Sequence, residues 1–309
     1  MSVVSEKSDR FSFSVEPLDE GASYYSGRTS AGNACLLVRT SNTGRTVPLL
    51  LAGLEANFGV PCLIRETHLA DRTEVLTTVV CLSQSPETEE YFGRICDSLV
   101  GQLGPLPTAE SAERGIQFLV DLFQRLSTPP RKQLAGLVGE LCVIFEATNP
   151  KVAIEPWRQE EYDRFDFGIG GLRIDAKASS TRLRRHSFSI EQTRPPKGTR
   201  AFVASIFVEP LPVGIAIADL LDLIEERAQE IEAIGRLRLV VADSLGKDLP
   251  SAMRWRFDLQ LARESLRFFD VENIPRLPED IPHGVSDIHF VSDLSSAPPY
   301  SGDVWACPK

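Results

Sequence analysis

Apolar residues recur along the chain at two periods, and the changes of period divide it. From 11 to about 83, the runs FSFSV, ACLLVRT, TVPLLLAGL, CLIRETHLA and EVLTTVVCLS alternate with turn residues such as Ser41-Asn42-Thr43-Gly44 and Phe58-Gly59-Val60-Pro61. This predicts short strands in a small β-rich domain. From Pro86 the period turns helical, with Tyr91, Ile95, Leu99 and Leu103, then Ile116, Leu119, Val120 and Phe123, which predicts two helices. Pro129-Pro130 ends that block. A third helix is predicted from about Arg131 to Thr148 on the stripe Leu134, Leu137, Val138, Leu141 and Phe145. Glu140 sits on the flank of this stripe, roughly 100° from its centre at the 3.6-residue period. A glutamate there either faces water or points along the edge of a sheet.

Period two returns beyond Asp163. Phe165, Phe167 and Ile169 alternate with Asp166 and Gly168, and Leu172, Ile174, Ala176 and Ala178 alternate with Arg173, Asp175 and Lys177. The Gly170-Gly171 pair between them predicts a tight antiparallel hairpin. Counting outward from it pairs Ile169 with Leu172, Phe167 with Ile174 and Phe165 with Ala176, and on the other face Asp166 with Asp175. Directly opposed residues have Cβ atoms roughly 4.5 to 5.5 Å apart, and like charges there repel. A divalent cation would offset the repulsion, and Lys177 projects from the same face. A solvated hairpin face, with the repulsion screened by water and salt, fits the bare pattern as well.

Further on, AFVASIFVEP at 201–210 has the nearly continuous apolar run of a strand covered on both faces. Asp219 to Ile234 predicts an acidic amphipathic helix. Alternation over Met253, Trp255, Phe257, Leu259 and Leu261, then LRFFDV and IHFVSDLS, predicts more strands. The layout is a β-rich domain over 1–105 and a second, mixed α/β (α+β) domain over 106–309.

Composition narrows the chemistry. The 309 residues are 42% hydrophobic and 25% charged, ordinary for a globular protein, and no apolar run approaches the roughly 20 residues of a membrane helix. The start, MSVVSEKSDRFSFS, lacks the layout of a secretory signal. The six cysteines are scattered without a CxxC pair, as expected of reduced thiols in a cytoplasmic protein. The four histidines are equally dispersed, so a hard cation on carboxylates such as Mg²⁺ suits this chain better than zinc. The net charge is −10, yet residues 130–200 carry 13 basic and 9 acidic side chains, a net of +4. Within them Arg182, Arg184, Arg185, Arg194, Lys197 and Arg200 stand against a single acid, Glu191. The cluster reads either as a phosphate-backbone surface or as a solvated basic loop. His186 is a candidate ligand, proton shuttle or nucleic-acid contact, or a structural histidine.

With these residues in view, the chain resembles the PD-(D/E)XK nuclease superfamily, the restriction-endonuclease-like fold, and particularly the PD-(D/E)XK family catalogued as domain of unknown function 4420. The likeness is carried by GLVGEL at Gly136 to Leu141, FDF at Phe165 to Phe167, IDAKAS at Ile174 to Ser179, HSFSIEQ at His186 to Gln192 and the C-terminal IPRLPEDIPHGVSDIHFVSDLS. It implies a mixed sheet flanked by helices. It also implies a catalytic set of Asp166, Asp175, Lys177, Glu140 and Gln192, with Asp166, Asp175, Glu140 and the Ala176 carbonyl holding one or two Mg²⁺ ions, for which Mn²⁺ would substitute. Phe165-Asp166-Phe167 departs from the motif in having no proline. The activity implied is hydrolysis of DNA phosphodiester bonds in a restriction or anti-phage setting beside ATPase or methyltransferase partners. Arg182, Arg184, Arg185, His186 and Arg194 would contact the nucleic acid, and a homodimer would suit cutting of both strands. A catalytically silent nucleic-acid-binding or scaffold subunit is the alternative from another class, and RNA the alternative substrate.

Overall fold

The computed structural model describes residues 11–19, 21, 23–40, 48–51, 53–105, 107–126, 134–158, 164–278 and 281–306. The predicted turn at Ser41-Asn42-Thr43-Gly44, the Pro129-Pro130 break and the helix start at Arg131 lie outside the described residues. The chain divides into two compact units, 1–129 with 246–250, and 130–245 with 251–309. The division falls later than the 105/106 boundary expected from the pattern, because the helix after it packs on strands of the first unit.

In the first unit, β1 (Ser12–Pro17), β2 (Tyr24–Thr29), β3 (Ala34–Val38), β4 (Leu49–Leu51), β5 (Leu54–Arg65) and β6 (Arg72–Cys81) join in the order β1-β2-β3-β6-β5-β4. β1 also pairs in parallel with β5. That pairing closes five strands into a ring and removes two sheet edges that would otherwise be open. Phe13, Val15, Tyr25, Cys35, Leu37, Cys62, Ile64, Leu76 and Val80 fill one core cluster of this unit. The predicted runs fall on all five of the other strands but not on β2, whose Tyr-Tyr-Ser-Gly-Arg-Thr lacks apolar alternation. Gly27 brings it close to β1, since a Cβ there would stand 2.1 Å from the Ser14 carbonyl oxygen. Helices α1 (Pro86–Leu103) and α2 (Ala109–Arg125) follow, N-capped by the hydroxyls of Ser85 and Thr108.

The second unit runs α3 (Leu134–Glu146), α4 (Pro150–Ile154), β7 (Phe167–Ile169), β8 (Leu172–Ser179), β9 (Arg185–Ser189), a 3₁₀ turn at Ile190–Thr193, β10 (Arg200–Phe207), β11 (Pro210–Ala216), α5 (Ile217–Ala228), α6 (Ile231–Leu245), β12 (Arg256–Phe257), α7 (Leu259–Ser265), β13 (Arg267–Asp270) and β14 (His289–Asp293). Its main sheet has the order β13-β10-β8-β7, with β8 and β10 parallel and the outer strands antiparallel to their neighbours. The fold is therefore the expected mixed sheet flanked by helices. Two expectations need correction. The single helix predicted over Asp219–Ile234 is interrupted by Gln229, at φ 54°, which separates α5 from α6. The strand predicted through Leu259 and Leu261 gives way to α7, because the Asp258 carboxylate accepts the Leu261 N–H at 2.9 Å and starts a helix.

The two faces of the sheet are covered differently. α3 packs on β8 and β10 across Gly139, where a Cβ would come within 3.1 Å of Ala178 Cβ and 3.2 Å of Ile206 Cγ2. That face therefore carries the even-numbered side chains. The odd-numbered face of β10, with Ala201 and Val203, joins Phe165, Phe188, Phe269, Val271, Ile274 and Leu294 in a second core. There the antiparallel pair β9–β14 forms the covering layer. Register pairs Asp175 with Val203 and Lys177 with Ser205, so both site candidates on β8 look toward β9, away from the helices.

The tightness at Gly139 has a consequence for stability. Gly139→Val is expected to force α3 off the sheet and lower stability by about 2 kcal/mol, read as a reduced urea midpoint. An unchanged midpoint would show that the close approach is dispensable.

Candidate active site

Asp175 lies on β8, between Ile174 and Ala176, and keeps only 4% of its surface exposed. A carboxylate so buried needs charge and hydrogen-bond partners. Lys177, two residues along the same face, supplies the charge: its Nζ stands 2.9 Å from Asp175 Oδ2. Gln192, from the 3₁₀ turn after β9, supplies the rest. Its Nε2 donates to Asp175 Oδ1 at 3.0 Å and to the Arg164 carbonyl at 3.2 Å. Its Oε1 accepts from Lys177 Nζ at 3.2 Å and from the Ser189 N–H at 3.0 Å. With two acceptors at the nitrogen and two donors at the oxygen, the amide has one consistent orientation. Lys177 Nζ also lies 5.1 Å from the centre of the buried Phe188 ring, a favourable cation–π distance.

The hairpin registers as counted from the glycines, with Ile169 opposite Leu172 and Phe167 opposite Ile174, and Gly170 takes the positive φ of 50° that its turn needs. The ladder then stops short of the expected Asp166–Asp175 pair. Trp157 bridges to Phe167 from the other side and the Arg158 N–H donates to the Asp166 carbonyl. Asp166 turns its side chain to the neighbouring strand, where Oδ2 accepts the Ala176 N–H at 2.8 Å. Asp166 and Asp175 thus converge on consecutive residues of β8 through a side chain–backbone bond.

Glu140 is placed elsewhere. It is 0% exposed on α3, the helix covering the face opposite Asp175 and Lys177. Its Oε2 accepts from Trp157 Nε1 at 2.8 Å and Arg158 Nε at 3.0 Å, with Arg158 Nη2 at 2.7 Å. Arg158 reaches on to Ser244 Oγ. The group expected to hold a cation is satisfied by an arginine and an indole, and pins the segment that precedes Asp166.

The basic run is dispersed by the fold in the same way. Arg182 forks onto both oxygens of Glu209, at 2.6 and 2.8 Å. Arg184 turns inward, donating to Ser205 Oγ at 2.8 Å and the Ser205 carbonyl at 3.0 Å, bonding the Ser265 carbonyl, and lying over the rings of Phe207 and Phe269. Arg185 stands opposite Asp293 in the β9–β14 register. His186 is buried, 2.8 Å from Ser205 Oγ. Ser205 Oγ accepts from Arg184 and shares a hydrogen bond with His186 Nε2 whose direction is set by the imidazole tautomer. Burial, with the Lys177 and Arg184 charges added, pushes the His186 pKa down to about 4. His186 is therefore an interior group and Arg184 is half-buried with its guanidinium engaged by the protein, so neither is turned outward as a nucleic-acid contact would be. Arg194 is half-buried beside the site, with Nη2 bonded to the Pro278 carbonyl. Sequence reasoning passed over Phe188, Ser205, Arg158 and Trp157. Phe188 and His186 were legible as alternate residues of HSFSIEQ, but nothing local shows what strand they pack against.

Among the described residues, no three or more His, Cys, Asp or Glu gather as a metal cluster. The donor set is two carboxylates, Asp166 and Asp175, with the Ala176 carbonyl between them in sequence. Such a set suits a hard divalent cation that retains several waters, as Mg²⁺ does, and does not suit zinc.

A sequence-family model described as "Putative PD-(D/E)XK family member, (DUF4420)" matches residues 10–295, nearly the whole chain, and the chain belongs to that family. No curated protein and no solved structure matches it. Among the described residues no helix is long and apolar enough to cross a membrane.

Two buried groups generate predictions. Glu140→Gln leaves Arg158 without its counter-charge. After discounting for the partial exposure of Arg158, stability is expected to fall by about 2 to 3 kcal/mol in urea unfolding; wild-type stability would overturn the structural assignment. His186 has a folded pKa below its unfolded value of 6.5, so its contribution is complete above pH 6.5 and is lost as pH falls toward 4, by at most about 3 kcal/mol. His186→Gln should flatten this part of the stability–pH curve, and an equally steep curve in the variant would refute it.

Proposed function

We propose, taking membership of that PD-(D/E)XK family as the premise, that the chain hydrolyses phosphodiester bonds of DNA with the help of Mg²⁺ or Mn²⁺. The observation that carries the reading is the closed network of Asp175, Lys177 and Gln192 beside Asp166. A structural ion pair on a β-strand needs no glutamine that binds both partners, and no second aspartate on the adjacent backbone.

Each residue of the chain has a role the geometry can support. Asp166, Asp175 and the Ala176 carbonyl would hold the divalent cation, which when bound acidifies a water and offsets charge on the phosphate. Lys177 uses donors toward Asp175 and Gln192. An ammonium has three, which leaves one to aim at a phosphoryl oxygen or the attacking water, where charge develops. Gln192 positions Lys177 and Asp175 relative to one another. Glu140 acts at a distance by tying Trp157 and Arg158, and through them the Asp166 backbone, to α3. A restriction or anti-phage setting, with ATPase or methyltransferase partners, extends this reading and rests on the family resemblance alone.

The test is incubation of the purified protein with linear and supercoiled DNA, in Mg²⁺ or in EDTA. The wild type is expected to cut only with metal, and Asp175→Ala and Lys177→Ala to cut about a hundredfold more slowly or not at all. Cutting in EDTA, or cutting that survives both substitutions, would sink the mechanism. Gel-shift binding without cutting in every condition would favour the silent nucleic-acid-binding subunit.

A further inference from the structure

In the run that looks most like a phosphate surface, Arg182 to Arg185, two of the three arginines are engaged by the protein itself. Arg182 is matched by Glu209 and Arg184 is held against Ser205 and Phe207, whereas Arg185 is exposed and, by alternation with the buried His186 and Phe188, projects from the face of β9 turned away from the site. Four other arginines stand differently. Arg164 lies two residues before Asp166, and its carbonyl accepts from Gln192 Nε2. Arg173 lies two residues before Asp175 on β8 and, by alternation, projects from the same face. Arg194 follows Gln192 by two residues and bonds the Pro278 carbonyl through Nη2. Arg276 reaches back with Nη1 to the Thr193 carbonyl at 3.4 Å.

What these four share is a place beside the site residues and the chemistry of their partners. Among the described residues none of them has a carboxylate within the 4.0 Å of an ion pair. Arg173 is held by the Gly170 and Leu172 carbonyls, at 3.0 and 2.7 Å, through Nη1. Arg194 and Arg276 are each held by one carbonyl. A carbonyl fixes a guanidinium in place without cancelling its charge, and a guanidinium with one nitrogen engaged keeps donors for a bidentate contact. Glu191 senses the Arg164 charge, but its carboxyl is held below the usual range mainly by hydrogen bonds to its own backbone N–H and to Ser189. Arg164 and Arg276 are exposed, and Arg173 and Arg194 half-buried. The aromatic side chains beside the site, Phe165 and Phe188, are buried, so no stacking platform for splayed bases is offered there.

We infer that Arg164, Arg173, Arg194 and Arg276 form a rim that holds the phosphate backbone of duplex DNA across Asp166, Asp175 and Lys177. The inference rests on the nuclease reading for its location, and goes beyond it in naming the surface and its partner. Contact with the backbone and not the bases makes the binding salt-sensitive and weakly dependent on sequence.

The experiment measures binding of the full chain to a labelled DNA duplex by fluorescence anisotropy, in EDTA, across a salt titration. Arg164→Ala and Arg173→Ala are each expected to reduce the log–log salt slope by about one, and the double variant by about two. Arg182→Ala, whose charge is spent on Glu209, serves as the control and is expected to bind like the wild type. Thermal melting guards against misfolding, and Arg164→Ala is the safest variant because its side chain makes no hydrogen bond among the described residues. Unchanged slopes in the double variant, an equal loss in Arg182→Ala, tighter binding of single-stranded DNA or RNA of the same length, or no binding of duplex by the wild type would each overturn the rim. The two proposals fail separately. Arginine-dependent binding with no cleavage leaves the rim and removes the nuclease, whereas metal-dependent cleavage with arginine-independent binding does the reverse.

Discussion

Burying the Asp175 carboxylate is the constraint on which the site depends. Its strand is covered by α3 on one face and by β9–β14 on the other, and in that setting an ionised group without partners costs several kcal/mol. Lys177 meets the charge, and Gln192 bonds both partners, donating to Asp175 Oδ1 and accepting from Lys177 Nζ. Gln192 is in turn fixed by the Ser189 N–H and the Arg164 carbonyl. The placement of the 3₁₀ turn after β9, the packing of Phe188 under the ammonium and the path of the chain before Asp166 are thus tied to one buried charge. The side chains of the site are thus held by one another, the preorganisation on which the proposed phosphodiester chemistry would draw.

The same rule removes other groups from the site. Glu140 and Arg158 cancel one another at the base of the segment leading to Asp166. Arg184, Ser205 and His186 form a second line of satisfied polar groups, beneath the strand position that carries Lys177. Residue types that read as ligands or phosphate contacts become structural once they are covered, because an enclosed polar group must spend its hydrogen bonds on the protein. Charge that no carboxylate meets then lies with arginines such as Arg173 and Arg194, whose side-chain hydrogen bonds among the described residues go to backbone carbonyls.

The first unit meets a different constraint. Its β1–β5 pairing closes the ring, and within its core the Tyr25 ring is fully buried while its hydroxyl takes donors from Arg39 and Arg72. Those arginines are in turn paired with Glu74 and Glu66. The charges are satisfied within the unit.

Local pattern was enough for elements whose side chains alternate or recur at the helical period. The hairpin of β7 and β8, the strand at 200–207, the stripe of α3 and the grouping of Asp166, Asp175, Lys177 and Gln192 through family resemblance could all be read along the chain. β2 was invisible because its place depends on Gly27 meeting a neighbouring backbone, and α7 was misread because one N-capping carboxylate outweighed an apolar alternation. Which face a helix covers, which arginine meets which acid and where Glu140 points were set only by the tertiary structure. Period and composition record what a residue is and which side of its own element it lies on. Whether its charge is cancelled depends on elements distant in sequence, as Arg182 on Glu209 and Arg184 on Ser265 show, and those partners exist only when the sheet and its covering layers have closed.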